Sequence, residues 1–181
     1  MKTYSVPNRD DVSANNQVIF DQLNAALGFV PNLYATIAYS NNALGSYLQL
    51  QNARTSLSKR EKEAINLVVS QVNHCEYCLA AHTTLGKMNG FTDDQILDIR
   101  AGSAPFNPKL DALTRLTYVI AKNRGQLADD SALEAFYAAG YTNESLVDVI
   151  VAIADKIIMN YLHNITKIPV DFPAAPELET V

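Results

Sequence analysis

The ten residues GFTDDQILDI, beginning at Gly90, recur fifty positions later as GYTNESLVDV, beginning at Gly140. Glycine, threonine and one aspartate are identical and most other positions are conservative. At the same offset Lys59 meets Lys109 and Asn73 meets Asn123. A period of this length marks a duplicated supersecondary unit, whose copies pack against each other because neither buries its apolar face alone. Each copy reads as helix, turn, helix, Gly-aromatic-Thr turn, helix. Two capping boxes sharpen the boundaries of the first copy. Ser58 can accept from the Glu61 amide while Glu61 reaches back, and Thr92 and Gln95 repeat the arrangement.

The remaining segments are also helical in pattern, with Pro and Gly falling between the periodic stretches except at Gly45 and Gly86. Helices are expected over Ala14 to Leu27, closed by Gly28; from Pro31; over Asn42 to Thr55; from Ser58 to about Asn73; from Thr92 to Ala101; over Lys109 to Asn123; and over Asn143 to about Ile165. No alternating run of β-branched residues is long enough for a strand. The expected fold is therefore an all-α helical bundle in one domain. N-terminal helices occupy 1–56, a cysteine-bearing repeat 57–106, a degenerate repeat 107–166, and an extended, proline-rich tail 167–181. The last helix is apolar on most sides, which predicts a place in the core or in a subunit contact, and hence a homo-oligomer with the tail lying across a neighbour.

Composition limits the function classes. With 48% hydrophobic and 18% charged residues among 181, the chain can build an ordinary core. A formal charge of -5 without a cluster of Lys and Arg argues against nucleic acid as partner. The longest apolar run, Val149 to Ala154, stops at Asp155 and Lys156, and the opening MKTYSVPNRDDVSANN has no apolar core of a leader, so no membrane partner and a cytoplasmic location are expected. In that reducing compartment a C-x-x-C pair points to redox chemistry or metal.

Both cysteines and two of the three histidines fall in NHCEYCLAAH, Asn73 to His82. The second copy lacks them: Cys75 aligns with Gly125, Cys78 with Ala128, His82 with Ala132, and Glu63 with Leu113. Scaffold needs alone therefore do not explain these residues. On a helix from near Asn73 to Asn89, a turn of about 100° per residue places Cys75, Cys78, Leu79 and His82 on one inward stripe, away from Glu76, Thr83 and Lys87. His82, four residues after Cys78, can take its thiol proton directly or through water. Cys75, in the first turn, gains about 0.3–1 kcal/mol of thiolate stabilisation from the positive helix end. Each cysteine thus has a claim to be the nucleophile, and their spacing allows a disulfide after a small adjustment.

Glu63 followed by Cys75-Glu76-Tyr77-Cys78 and His82 resembles the core signature of the AhpD-like alkylhydroperoxidase and carboxymuconolactone decarboxylase superfamily. The likeness is close over about Leu57 to Ala101 and extends loosely to the duplicated helical layout. It implies an oligomeric thiol peroxidase in which Cys78 attacks a small hydroperoxide, Cys75 resolves the product, and Glu63 with His82 moves protons. The dithiol would cycle with no metal or organic cofactor, regenerated by a lipoyl or thioredoxin-like protein or a small thiol. One departure is Tyr77, where the characterised peroxidases have a histidine; a tyrosine of ordinary pKa, about 10, is no proton shuttle at neutral pH.

Each residue also has a structural reading. The cysteines can be small core hydrophobes, or zinc ligands together with His82 and either Glu63 or His163. His74 can simply open the helix, Tyr77 can be packing, and His163 sits on a polar strip of the last helix with Asp148, Asp155 and Lys156. The competing function class is a member of the same family acting as redox sensor, disulfide reductase or zinc-bound structural protein.

Overall fold

A computed structural model describes residues 4–178, so the first three positions of the N-terminal segment and the last three of the tail lie outside the described residues. Among the described residues the regular elements are all helical: a short 3-10 turn at Arg9–Asp11, then α1 (Ala14–Leu27), α2 (Asn32–Ile37), α3 (Ala43–Gln51), α4 (Lys59–Val72), α5 (Glu76–Met88), α6 (Asp93–Arg100), α7 (Pro108–Lys122), α8 (Ser131–Ala138) and α9 (Asn143–Thr166). None is long and apolar enough to cross a membrane.

The duplication is written into the backbone. His74 and Arg124, fifty residues apart, both take left-handed φ (51° and 56°), as do Gly90 and Gly140 (86° and 89°). Equivalent amides make equivalent bonds: Cys75 N to Ser70 O at 3.0 Å and Gly125 N to Ile120 O at 2.8 Å. Both Gly-aromatic-Thr turns end in a capping box, at Thr92 before α6 and Thr142 before α9. The copies differ in length, since α9 runs on for about four turns past the point equivalent to the end of α6.

Helix α4 is the central element, packed against α5, α6, α7 and α9. After its charged, capped first turn it is buried without interruption from Ala64 to Ser70. Full burial of Ile65, Leu67, Val68 and Val69 contributes about 1.5–3 kcal/mol per side chain. This core joins the two repeats. A second apolar cluster gathers Phe20, Leu33, Leu44 and Tyr47 of α1–α3, the cysteine end of α5, Met159 of α9 and Ile168 of the tail. The N-terminal helices and the tail therefore cover the cysteine side of α5.

Two expectations change. Helix α3 stops at Gln51, short of Thr55, because the Asn52 side chain donates to Leu48 O at 2.8 Å. The chain then turns so that the Ser56 amide can reach Asp148 Oδ2 at 2.7 Å. Helix α5 begins at Glu76, because left-handed His74 ends α4, and the His74 imidazole is exposed to solvent while both thiols are buried. The tail lies on its own chain: Asp171 accepts from the Asn32 amide at 2.7 Å, and buried Arg100 donates to Pro176 O at 2.7 Å.

His74→Gly should stabilise the protein. The left-handed conformation costs a side chain about 1–2 kcal/mol, and the added freedom of glycine in the unfolded chain offsets part of it. A net gain of about 0.5–1 kcal/mol in urea unfolding is expected; a loss would show that the imbalance runs the other way.

Candidate functional site

The bond from the Cys75 amide to Ser70 O, with that from His74 N to Gln71 O (3.1 Å), closes α4 and reverses the chain within three residues. Cys75 becomes the N-cap of α5, and its sulfur accepts from the Cys78 amide at 3.3 Å. The two sulfurs lie 2.6 Å apart as free cysteines, with Cys75 Sγ donating to Cys78 Sγ. Helix α5 then runs back along α4 and brings His82 to Glu63, whose Oε2 meets Nδ1 at 2.7 Å; only 9% and 13% of the two side chains are exposed. All four expected site residues converge at one place.

The sulfurs are not equivalent. The hydrogen bond from Cys75 holds the Cys78 thiol below its ordinary range, against burial and with help from the charge of Lys156. Cys75 is pushed far up by the proton it shares with Cys78, by burial and by the charge on Cys78. Of the two sulfurs, Cys78 is therefore the one that gives up its proton more readily. This outcome reverses the helix-end argument for a Cys75 thiolate, because a cap position receives one amide while the neighbouring sulfur receives a thiol proton.

Burial pushes Glu63 up, but the charge of His82, its hydrogen bond and the charge of Lys156 outweigh this and leave the carboxyl below its usual range. His82 is lowered by burial first and by Lys156 second, with Glu63 opposing. The pair is thus carboxylate and neutral imidazole, with Nδ1–H donating to Glu63 and the other ring nitrogen left to exchange protons. No direct hydrogen bond joins His82 to Cys78 among the described residues, and both open onto one space.

That space is a cavity of about 640 Å³. Leu27, Phe29, Leu33, Leu85, Met88 and Phe172 make its apolar walls, while Glu63, His82 and Lys156 lie at its polar end. Cys78 lines it and Cys75 does not. Tyr77 lines it as well; its hydroxyl accepts from the Leu33 amide at 3.3 Å and its ring packs on His163 and Phe172. Burial raises its pKa above the ordinary range, so Tyr77 shapes the wall and does not relay protons.

The polar strip of α9 proves to be an inner face. Asp155, Lys156, Asn160 and His163 are all buried, and Asn160 donates to Ser70 Oγ at 3.3 Å beside the cysteine turn. Sequence reasoning missed Lys156 and Asn160. The available signal was that polar residues at 156, 160 and 163 keep helical spacing with the buried apolar residues Val149, Ile153 and Met159. Thr83 is also buried, contrary to expectation. The four-ligand metal arrangement does not form: among the described residues no group of three or more His, Cys, Asp or Glu is placed to hold an ion.

Residues 41–118, which contain Glu63, both cysteines and His82, match the carboxymuconolactone decarboxylase family. The match covers less than half of the chain and is a likeness to that family over this stretch. Among solved structures, the chain is similar to a peroxidase-related protein of Ralstonia eutropha JMP134 with an alkylhydroperoxidase AhpD core (TM-score 0.79, 21% identity, covering 90% of this chain and 88% of that one). A peroxidase-related protein of Silicibacter sp. TM1040 gives a TM-score of 0.79 at 20% identity, covering 97% and 93%. A cysteine-to-alanine variant of the debrominase Bmp8, in complex with 2,3,4-tribromopyrrole, gives 0.77 at 17% identity, covering 94% and 93%. At these identities the likeness is one of fold, the AhpD-like helical fold. A search of curated proteins finds no match.

The acid response of stability follows from the same site. Because folded His82 sits below its ordinary value of 6.5, the unfolded chain takes up a proton that the folded chain refuses as pH falls beneath that value, and stability drops. Glu63, held below 4.5, adds a second loss as pH falls from 4.5 through its folded value. The melting temperature should decline from pH 7 to 5, and His82→Gln should flatten that decline. An equal slope in the variant would assign the acid sensitivity elsewhere.

Proposed function

We propose that this protein is a thiol-dependent hydroperoxide reductase in which Cys78 attacks the peroxide and Cys75 resolves the product. The asymmetry of the pair carries this reading: Cys78 alone faces the cavity and is the sulfur favoured as thiolate, and Cys75 waits 2.6 Å behind it with its proton in place. A cavity of about 640 Å³ with apolar walls suits the body of an organic hydroperoxide.

From two thiols, the Cys78 proton passes to the ring nitrogen of His82 that Glu63 does not engage. The thiolate attacks the terminal oxygen of ROOH, and the O–O bond breaks. Cys78 becomes a sulfenic acid, and the leaving alkoxide takes the proton from His82 as ROH. The Cys75 sulfur then displaces hydroxide from Cys78; its own proton leaves with the hydroxide as water, and the S–S bond forms. An external dithiol, a lipoyl group, a thioredoxin-like protein or a small thiol of a reducing compartment such as the cytoplasm, returns two electrons and two protons. No step calls for a metal or organic cofactor.

A second reading, reductive dehalogenation of an aromatic ring by the same dithiol, is favoured by the aromatic walls at Phe29, Tyr34, Tyr77 and Phe172 and by the shared fold of the debrominase Bmp8. Offering 2,3,4-tribromopyrrole in place of peroxide separates the two.

Intact mass and free-thiol counts after one equivalent of an organic hydroperoxide provide the test. The unmodified chain should lose two hydrogens and both thiols within seconds, and Cys75→Ser should gain one oxygen. Cys78→Ser should not react, and Glu63→Gln should slow the reaction by on the order of 100-fold. Peroxide consumption that survives in Cys78→Ser would sink this mechanism.

We further propose a homo-oligomer in which α9 pairs with a second copy. Its outer side exposes Val147, Val151, Ile158, Tyr161 and Ile165, and with Ala154 these repeat at alternating four- and three-residue steps, the seam of a helix pair. Light scattering at micromolar concentration should give a multiple of the chain mass, reduced by Ile158→Glu. A monomeric mass for the unmodified chain refutes it.

A further inference from the structure

The cavity that Cys78 faces holds three carboxyl groups. Glu63 of α4, Asp155 of α9 and Asp171 of the tail all line the cavity that Cys78 faces, together with the neutral groups His82, Tyr34 and Tyr77; Tyr47 of α3 lies close enough to feel the Cys78 charge. A thiolate in such a setting meets repulsion as well as the cost of burial. Something must favour the negative charge there.

Two cations line the same cavity, Lys62 and Lys156. Lys62 is committed to α3, since its Nζ donates to Gln51 O at 3.2 Å. Among the acids, Glu63 is held by His82 at 2.7 Å and Asp171 by the Asn32 amide at 2.7 Å, while buried Asp155 keeps one oxygen, Oδ1, without a hydrogen bond. Lys156 stands apart: it is 3% exposed, yet among the described residues it makes no hydrogen bond and no ion pair. A buried ammonium without a partner is costly, so its position asks for an anion in the cavity. Cys78 lines the same cavity and, on the reading above, is the group there whose negative charge has to form for the reaction.

The placement of Lys156 also has no counterpart in the duplicated scaffold. It lies on the part of α9 that extends past the end of the repeat, and fifty residues earlier stands Phe106. One turn further along the same helix, Asn160 reaches Ser70 at 3.3 Å at the base of the cysteine turn. The extension of the degenerate repeat thus delivers its polar face to the site of the other.

We propose that Lys156 is the positioning cation of the Cys78 thiolate, the residue that favours the charged form of the attacking sulfur in a cavity that also holds three carboxyl groups. It acts through Cys78 and takes no part in bond making. The assignment of Cys78 as nucleophile is the reading on which this rests. The direction of the Cys78 shift, in which Lys156 is the foremost charged contributor, agrees with the geometry.

The test reads the thiolate itself, so it stands whether or not peroxide is the substrate. In a Cys75→Ser background, the rate of Cys78 alkylation by iodoacetamide is followed against pH, beside thiolate absorbance near 240 nm. Lys156→Met should move the midpoint upward by about one unit, a roughly tenfold slower alkylation at neutral pH that is recovered at alkaline pH. Lys156→Arg should keep the original midpoint. Should the methionine variant fail to fold, Lys156→Gln is read in the same way. An unchanged midpoint in Lys156→Met or Lys156→Gln, or the same displacement in Lys156→Arg, overturns the proposal. A displaced midpoint in a protein that never consumes hydroperoxide would keep the role of Lys156 and reject the peroxidase reading alone.

Discussion

A single backbone hydrogen bond, from the Cys75 amide to the Ser70 carbonyl, organises the site. It ends α4 with His74 in the left-handed region and reverses the chain, so that α5 must run back along the most buried helix of the fold. Cys75 becomes a cap, the Cys78 amide turns toward its sulfur, and His82 arrives opposite Glu63. The same bond closes α7, from Gly125 to Ile120, where no reactive residue follows. The turn is therefore a property of the scaffold, and the chemistry was laid onto one of its two copies.

Burial makes the pairings matter. A carboxylate and an imidazole in water would interact weakly, but with little of either side chain exposed the Glu63–His82 contact sets both protonation states. The cysteine pair follows the same logic, since the thiol of buried Cys75 donates to buried Cys78 and so favours the negative charge on the second sulfur. Which sulfur is which depends on what lies around them: Cys78 has the cavity and Lys156 on its side, whereas Cys75 is enclosed.

Helix α9 links the two repeats in an unsymmetrical way. Its first third ends a unit equivalent to the one that α6 ends, while the remainder has no equivalent and crosses to the cysteine side of α5. There it turns polar residues inward and leaves Ile158, Tyr161 and Ile165 in contact with solvent. A helix alone in water would choose the opposite orientation. Packing against the cysteine turn, where Asn160 and Asn164 hydrogen-bond to Ser70 and Asn73, imposes it.

Much of this molecule is readable from sequence because the signals are local. Helix α1 with its Gly28 cap, the boxes at Ser58 and Thr92, and the fifty-residue duplication all depend on residues within a turn or two of one another. So does the grouping of Cys75, Cys78 and His82, which need only the pitch of a helix, and Glu63 comes from the family spacing. Local pattern misleads where a distant partner decides. It draws α3 too long because Asp148 holds Ser56, and it leaves the polar strip of α9 in solvent because amphipathicity gives a polar face without saying what faces it. By itself the sequence determined the helices, their repeat and the residues capable of redox chemistry. Only the tertiary structure decided which sulfur is the more acidic and that Lys156 lines the same cavity, because both depend on desolvation and on charges brought together from helices far apart in the chain.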